Sequence, residues 1–504
     1  MAVALAGALV VIAAAPPSGA VPETGTGSRC VSLAERAERY GVRVDDSATS
    51  VSVQGRTIPL TEAGLSDVRP GSSQVALWFH SLAWLIPVAQ RSPEAALGAV
   101  ERYSAALPDP GAGARREVQW ERGWSEGQIR RRLETLECLY RRTGSPVVAR
   151  AARGLGDALL DDRRYYGLPL HPPHNHGAQA NVVLTRAGRL FDRPEWVAVA
   201  RARVLRDREA AFAECGMSDE QSSAYQWLNV SLWDRLARRL DVPANPAPRR
   251  AAEALVRPDG VVEPVGGGGA RTNTAHGGEL WCPDLGWAAS TRGGMHHVVR
   301  FGPATTRHGH QDHGAVTWFT RGRPVLVDRG AAPKDDAAAA AWAGSRAAHS
   351  TLERVDAPPV VAMTGRITGQ DAYLLEERGG DGLRRSLRIT PDAVTVVDDS
   401  ATSATAPASS TWIQHWHFAP GWLPVVDDDG TATGELEASD GARVRLACRE
   451  SGRPVAPIPV RVTSYVGASS SPAWDMQCRA RGRSVSFSST VSWIEGAGTA
   501  GTAR

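Results

Sequence analysis

The chain has 504 residues, 42% of them hydrophobic, and a formal net charge of +3. That length and apolar content allow more than one buried core and exclude a disordered polymer. The near-balanced charge, with no basic run or recognised binding module, argues against a nucleic-acid partner and leaves acidic and neutral partners open.

The first 15 residues are almost wholly Ala, Val, Leu and Ile, and Pro16, Pro17, Ser18, Gly19 and Ala20 follow. This pattern predicts a signal peptide over residues 1–20, since a membrane-spanning helix needs about 20 apolar residues. The mature chain is therefore expected without a membrane span, secreted or in the cell envelope. Cys30, Cys138, Cys215, Cys282, Cys448 and Cys478 are widely spread, with no CxxC pair. They permit disulfides outside the cytoplasm, Cys448 with Cys478 among them, and equally permit buried thiols.

Between about Val75 and Leu255 the apolar residues recur at helical spacing, as in Ile129, Leu133, Leu136 and Tyr140, or Leu228, Leu232, Leu236 and Leu240. Breaks at Thr143-Gly144-Ser145-Pro146, at Asp192-Arg193-Pro194 and between Pro243 and Pro248 separate helical hairpins. Stacked hairpins predict an α/α toroid over residues 31–275. Gly266, Gly267, Gly268 and Gly269 lack the Lys-Ser/Thr ending of a phosphate loop and read as a flexible linker. After them come strand-like runs such as His297-Val298-Val299-Arg300-Phe301 and Ala393-Val394-Thr395-Val396-Val397. Asp440-Gly441 signals a hairpin, and residues 276–504 are predicted to form an antiparallel β-sandwich. The fold class is α+β multidomain, the toroid first and the sandwich second.

Three stretches can carry chemistry. His174-Asn175-His176-Gly177 opens a helical hairpin; Asn175 can donate its amide to a carboxylate and His176 can move a proton at neutral pH, although helix-start hydrogen bonding explains both equally. The polar helix start from Asp219 to Gln226 places Tyr225 five residues beyond Glu220 and alone reads as a cap. Arg307-His308-Gly309-His310-Gln311-Asp312-His313 gathers three imidazoles and a carboxylate in seven residues. If extended, it projects His308, His310 and Asp312 from one face. Asp328 ends an apolar strand and His349 follows later. Two imidazoles and a carboxylate, about 2.0 to 2.2 Å from an ion, make an ordinary zinc set with an open fourth position. The alternative is a surface histidine cluster with Asp328 capping a turn.

Taken in order, these stretches resemble the heparinase II/III-like lyases, which include heparin, heparan and alginate lyases. The resemblance rests on Asn175-His176-Gly177, Glu220-Gln221-Ser222 to Tyr225, Pro258-Asp259-Gly260, Arg300-Phe301-Gly302-Pro303, His308-Gly309-His310-Gln311-Asp312, the strand from Gly322 to Gly330, and Ala348-His349-Ser350-Thr351. It implies a toroid stacked on a sandwich, with the active cleft at their junction, and structural Zn2+ at His310, Asp328 and His349. It departs from the family pattern at Ser350, where Asn is usual, and at Arg329, where Pro is usual.

The expected reaction is β-elimination in a uronate-containing acidic polysaccharide. Asn175 neutralises the sugar carboxylate, His176 or Tyr225 takes the adjacent proton, and Tyr225 or His308 returns one to the departing oxygen. The rival readings are a glycoside hydrolase using Glu220 with a second acid, and a non-catalytic envelope polysaccharide-binding protein with tryptophans such as Trp227 as sugar platforms.

Overall fold

The computed structural model describes residues 26–494 apart from 46, 67–71, 270, 304–306, 334–335, 356, 380–381, 401–406, 428–431 and 466–469. The predicted leader at 1–20 lies outside the described residues. The chain divides into two compact units, residues 1–164 and 165–504.

The first unit is helical apart from a small antiparallel sheet of Val42–Val44, Ser50–Val53 and Arg56–Pro59. Its longest helix, Glu126–Thr143, buries Ile129, Leu133 and Leu136, the stripe expected from their spacing. The predicted break closes that helix on Gly144 at φ 61, a left-handed backbone glycine adopts without strain. Ser145 Oγ then accepts the Val147 N–H at 3.2 Å and Pro146 starts the next helix, Pro146–Leu160. The second unit opens with the antiparallel hairpin Asn175–Leu190 and Pro194–Asp207, followed by Ser223–Leu240 and Ala247–Glu253.

Strands begin at Glu279–Cys282 and form two antiparallel sheets. The first runs in the order Ile458–Ser464, Ser471–Arg481, Thr411–Phe418, Arg323–Leu326, Val316–Thr320, Met295–Arg300, Trp287–Arg292, Glu279–Cys282. Val299, Trp318 and Trp416 of this sheet share a core with Leu387, Val396, Leu446 and Phe487 of the second, so the sheets form a sandwich. The opposite face of the first sheet is also covered: Trp287, Val298 and Leu280 pack with Met217, Ala251 and Leu255. Every residue of Met295–Arg300 and Val316–Thr320 is therefore buried, whereas Arg384–Ile389 of the second sheet alternates exposed and buried. Asp440-Gly441 does turn a hairpin, pairing Leu436 with Val444. Helical hairpins followed by an antiparallel sandwich is the predicted class.

Disulfides join Cys30 to Cys138, Cys215 to Cys282 and Cys448 to Cys478. No helix among the described residues is long and apolar enough to cross a membrane.

Candidate active site

Asn175 is the first residue of its helix, and His174 caps that end by accepting the His176 N–H on its ring. Held there, Asn175 donates its Nδ2 to both oxygens of Glu220, at 3.0 and 2.9 Å, and its backbone N–H to Oε1 at 3.3 Å. Asn229, one helical turn beyond Tyr225, donates to Oε1 at 2.9 Å, and His308 Nε2 lies 3.3 Å from Oε2. Glu220 is only 1% exposed. Burial raises its pKa despite the hydrogen bonds from Asn229 and Asn175, so its carboxyl holds a proton more readily than a free one.

Tyr225 sits in the first turn of Ser223–Leu240, whose cap Ser222 accepts the Tyr225 N–H at 3.3 Å. Its ring stacks on His308, centroids 3.4 Å apart and planes 10° from parallel. Burial and then the Glu220 charge raise the phenol's pKa, with Arg271 opposing them. Asn175, Glu220, Tyr225 and His308 therefore form one polar cluster.

The glycines at 266–269 are not a free linker. Gly267 donates to the His308 carbonyl at 2.7 Å, its own carbonyl accepts Ser222 Oγ, and Ser223 donates to the Val265 carbonyl at 3.1 Å. A Cβ on Gly266, at φ +74, would stand 2.5 Å from the Gln221 carbonyl oxygen and 2.9 Å from that of His308. The run is a strap whose Gly266 and Gly268 fit between the Tyr225 helix start and His308 only because they lack side chains.

His176 is exposed on the next helical position, its ring edge-on to Tyr166 with centroids 5.5 Å apart. Tyr166 also faces His171 and His174. Burial, followed by the neighbouring His176, Arg307, His171 and His308, pushes His174 down to about 3. Imidazoles and a guanidinium thus converge beside Asn175.

His308, His310 and Asp312 do not share a face. The stretch is irregular rather than extended, and each side chain follows a different partner. His308 goes to Glu220 and Tyr225, His310 faces His349 at a ring separation of 5.4 Å, and Asp312 accepts from Arg300 Nε at 3.3 Å. Arg300 is fully buried against Trp287.

His310, Asp328 and His349 bring their ligand atoms within 4.8 Å of one another. His349 Nδ1 donates to Asp328 Oδ2 at 2.7 Å, which leaves its Nε2 buried without a hydrogen-bond partner; His310 Nδ1 is likewise unpartnered. Burial and the adjacent His349 hold His310 below its ordinary pKa, whereas at His349 Asp328 outweighs burial and raises it, so a metal ion would take the place of the His349 proton. Buried imidazole nitrogens with lone pairs to give, next to a carboxylate, fit zinc.

A second such cluster, His415, His417 and Asp475, was not singled out from sequence. His415 donates to Asp475 at 2.8 Å and to Glu353 at 3.0 Å. His417 Nδ1 accepts from Arg329 Nε at 2.8 Å, and its Nε2 donates to the Ala347 carbonyl at 3.0 Å. The His417 N–H reaches Ser350 Oγ at 3.0 Å. Both departures from the family pattern, Arg329 and Ser350, thus bind His417. The residues missed in sequence were Asn229, whose spacing from Tyr225 could have revealed it, and Tyr166, which had no signal.

The heparinase II/III-like C-terminal family matches residues 278–366, which hold His308, His310, Asp328 and His349. No curated protein matches the chain. Among solved structures, a heparinase III is 13% identical over 86% of this chain and 79% of that one, with a TM-score of 0.66. A heparan sulfate lyase from Pedobacter heparinus is 14% identical over 94% and 88%, TM-score 0.62. The chondroitin AC lyase of Streptomyces coelicolor A3 is 12% identical over 95% and 80%, TM-score 0.51. The chain shares the fold of these polysaccharide lyases.

Proposed function

We propose that this chain, whose residues 278–366 match the heparinase II/III-like C-terminal family and whose fold is that of polysaccharide lyases, cleaves a uronate-containing acidic polysaccharide by β-elimination. The observation that carries the reading is the cluster of Asn175, Glu220, Tyr225 and His308. In such a reaction the C5–H bond breaks, its electron pair becomes the C4–C5 double bond, and the C4–O4 bond breaks as O4 takes a proton. The C5 proton is acidic enough only when the neighbouring carboxylate is neutralised. Asn175 Nδ2 supplies a donor for that carboxylate. Tyr225, whose raised pKa keeps its hydroxyl protonated, protonates O4, and His176 is the base.

Glu220's hydrogen-bonding neighbours are Asn175, Asn229 and His308. A hydrolase would pair Glu220 with a second carboxylate roughly 5 to 9.5 Å away across the bond to be cut, and its product, a new reducing end without a double bond, separates it from elimination. His310, Asp328 and His349 would hold zinc. Bound there, the ion supplies fixed coordination that anchors the loop carrying His308, two residues before His310. Export to an oxidising compartment accords with the paired cysteines.

The test is ultraviolet absorbance of an unsaturated uronate released from heparan sulfate, heparin, alginate or hyaluronan, with Tyr225→Phe alongside. Absorbance that the substitution lowers at least about 10²-fold is expected. New reducing ends without absorbance would replace the lyase by a hydrolase, and binding without either product would make the protein a polysaccharide binder.

A further inference from the structure

The first unit holds a cavity of about 520 Å3, within the size range of small-molecule sites. Leu82, Val100, Leu107, Leu136 and Leu155 give it apolar walls, and two guanidinium side chains line it, the buried Arg132 and the exposed Arg150. Arg132 is 3% exposed, yet among the described residues no carboxylate pairs with it, while its neighbours Arg130 and Arg131 pair with Glu126 and Glu134. Its Nη1 donates to the Tyr103 hydroxyl at 2.8 Å, and its guanidinium lies over the rings of Tyr103 and Trp124, 5.2 and 4.9 Å from their centroids. Nη2 is buried without a hydrogen-bond partner.

The neighbours cannot supply the missing negative charge. The Tyr103 hydroxyl lies 2.6 Å from His80 Nδ1. Accepting from Arg132, it donates to that nitrogen, and burial reinforced by the Arg132 charge keeps His80 neutral, pushed down to about 3. Burial also raises the phenol, against the pull of Arg132. Asp109 at the cavity edge is engaged by Arg164 at 2.9 Å, and Glu101 is exposed. A buried cation with no anion is costly, and one that lines a cavity can be neutralised from outside the chain.

We propose that this cavity binds a small organic anion, a monocarboxylate with an apolar body, whose carboxylate pairs with Arg132. The lipophilic walls take the body and the guanidinium fixes the orientation. The inference is independent of the lyase reading.

Calorimetric titration of the full chain with 4-phenylbutyrate, and with 4-phenylbutan-1-ol as a neutral molecule of the same body, tests it. The carboxylate is expected to bind at least about tenfold more tightly than the alcohol. Gly154 lines the cavity from the helix Pro146–Leu160, and a Cβ there meets nothing within 4 Å. Gly154→Leu should therefore weaken 4-phenylbutyrate at least about tenfold while leaving the melting temperature unlowered, leucine being the better helix former. Arg132→Met should erase the preference for the carboxylate. Absence of binding, equal affinities for acid and alcohol, or an unweakened Gly154→Leu would each overturn the proposal.

Discussion

Two groups of two histidines and one aspartate lie in the same sandwich, and each brings its ligand atoms within 4.8 Å. In His310, Asp328 and His349, two buried ring nitrogens have no hydrogen-bond partner. In His415, His417 and Asp475, all four imidazole nitrogens are engaged, and the Arg329 guanidinium donates into the place where a cation would sit. The residue types are the same; the uncommitted lone pairs are not. Proximity of ligand types thus says less about a metal centre than whether the protein has already satisfied those atoms.

The largest contrast is in metal content. Purified protein is expected to carry about one zinc per chain, Asp328→Ala to carry almost none, and His415→Gln to retain it, all read by elemental analysis. Equal zinc loss from both variants would erase the distinction between the clusters.

Stability should separate them in the opposite sense. Asp475→Ala removes the buried carboxylate that His415 donates to and that offsets the Arg329 charge, leaving His415 with Glu353 alone, and a loss of about 3 kcal/mol in chemical denaturation is expected, with zinc retained. A loss below about 1 kcal/mol would show that the second cluster is not the ionic core described.

The dependence on pH follows from His415. Burial alone would lower its pKa, but Asp475 and then Glu353 outweigh it and raise the group to about 9. Because the folded value exceeds the ordinary one of about 6.5, this stabilisation is complete below pH ~6.5 and fades as pH rises toward 9. The decline in denaturation midpoint over that window should shrink in His415→Gln; an unchanged slope would assign it to another group. The smallest effect is expected at Ser350, which touches both clusters through His349 in sequence and the His417 N–H in space. Ser350→Ala should cost about 1 kcal/mol and leave zinc content unaltered.

The candidate metal ligands were legible because a carboxylate at the end of an apolar strand and an isolated histidine leave few structural reasons for being there. Asn175 and Tyr225 were visible as helix starts, yet nothing in their spacing disclosed that Asn175 donates to Glu220, 45 residues on, or that Tyr225 stacks on His308. The second cluster escaped because His415 and His417 sit in the strand Thr411–Phe418 without other ligand types beside them, and their aspartate comes 60 residues after His415. The glycine strap was misread for a related reason: backbone hydrogen bonds to Ser223 and His308 leave no trace in side-chain pattern. Helices and strands follow from local periodicity, whereas these contacts depend on which distant segments fold together.

The Cys215–Cys282 bridge has a consequence for biosynthesis. It closes a ring across a sequence separation of 67 that carries Glu220, Tyr225, Asn229 and the glycine strap. During translation that whole segment leaves the ribosome before its second anchor exists, and oxidation afterwards makes it cyclic, restricting the unfolded chain by about 4 kcal/mol. A production host that keeps thiols reduced would deliver the same polypeptide with its acidic group and its phenol on an untethered loop, so the oxidation state at harvest is a property to assay before activity is compared between preparations.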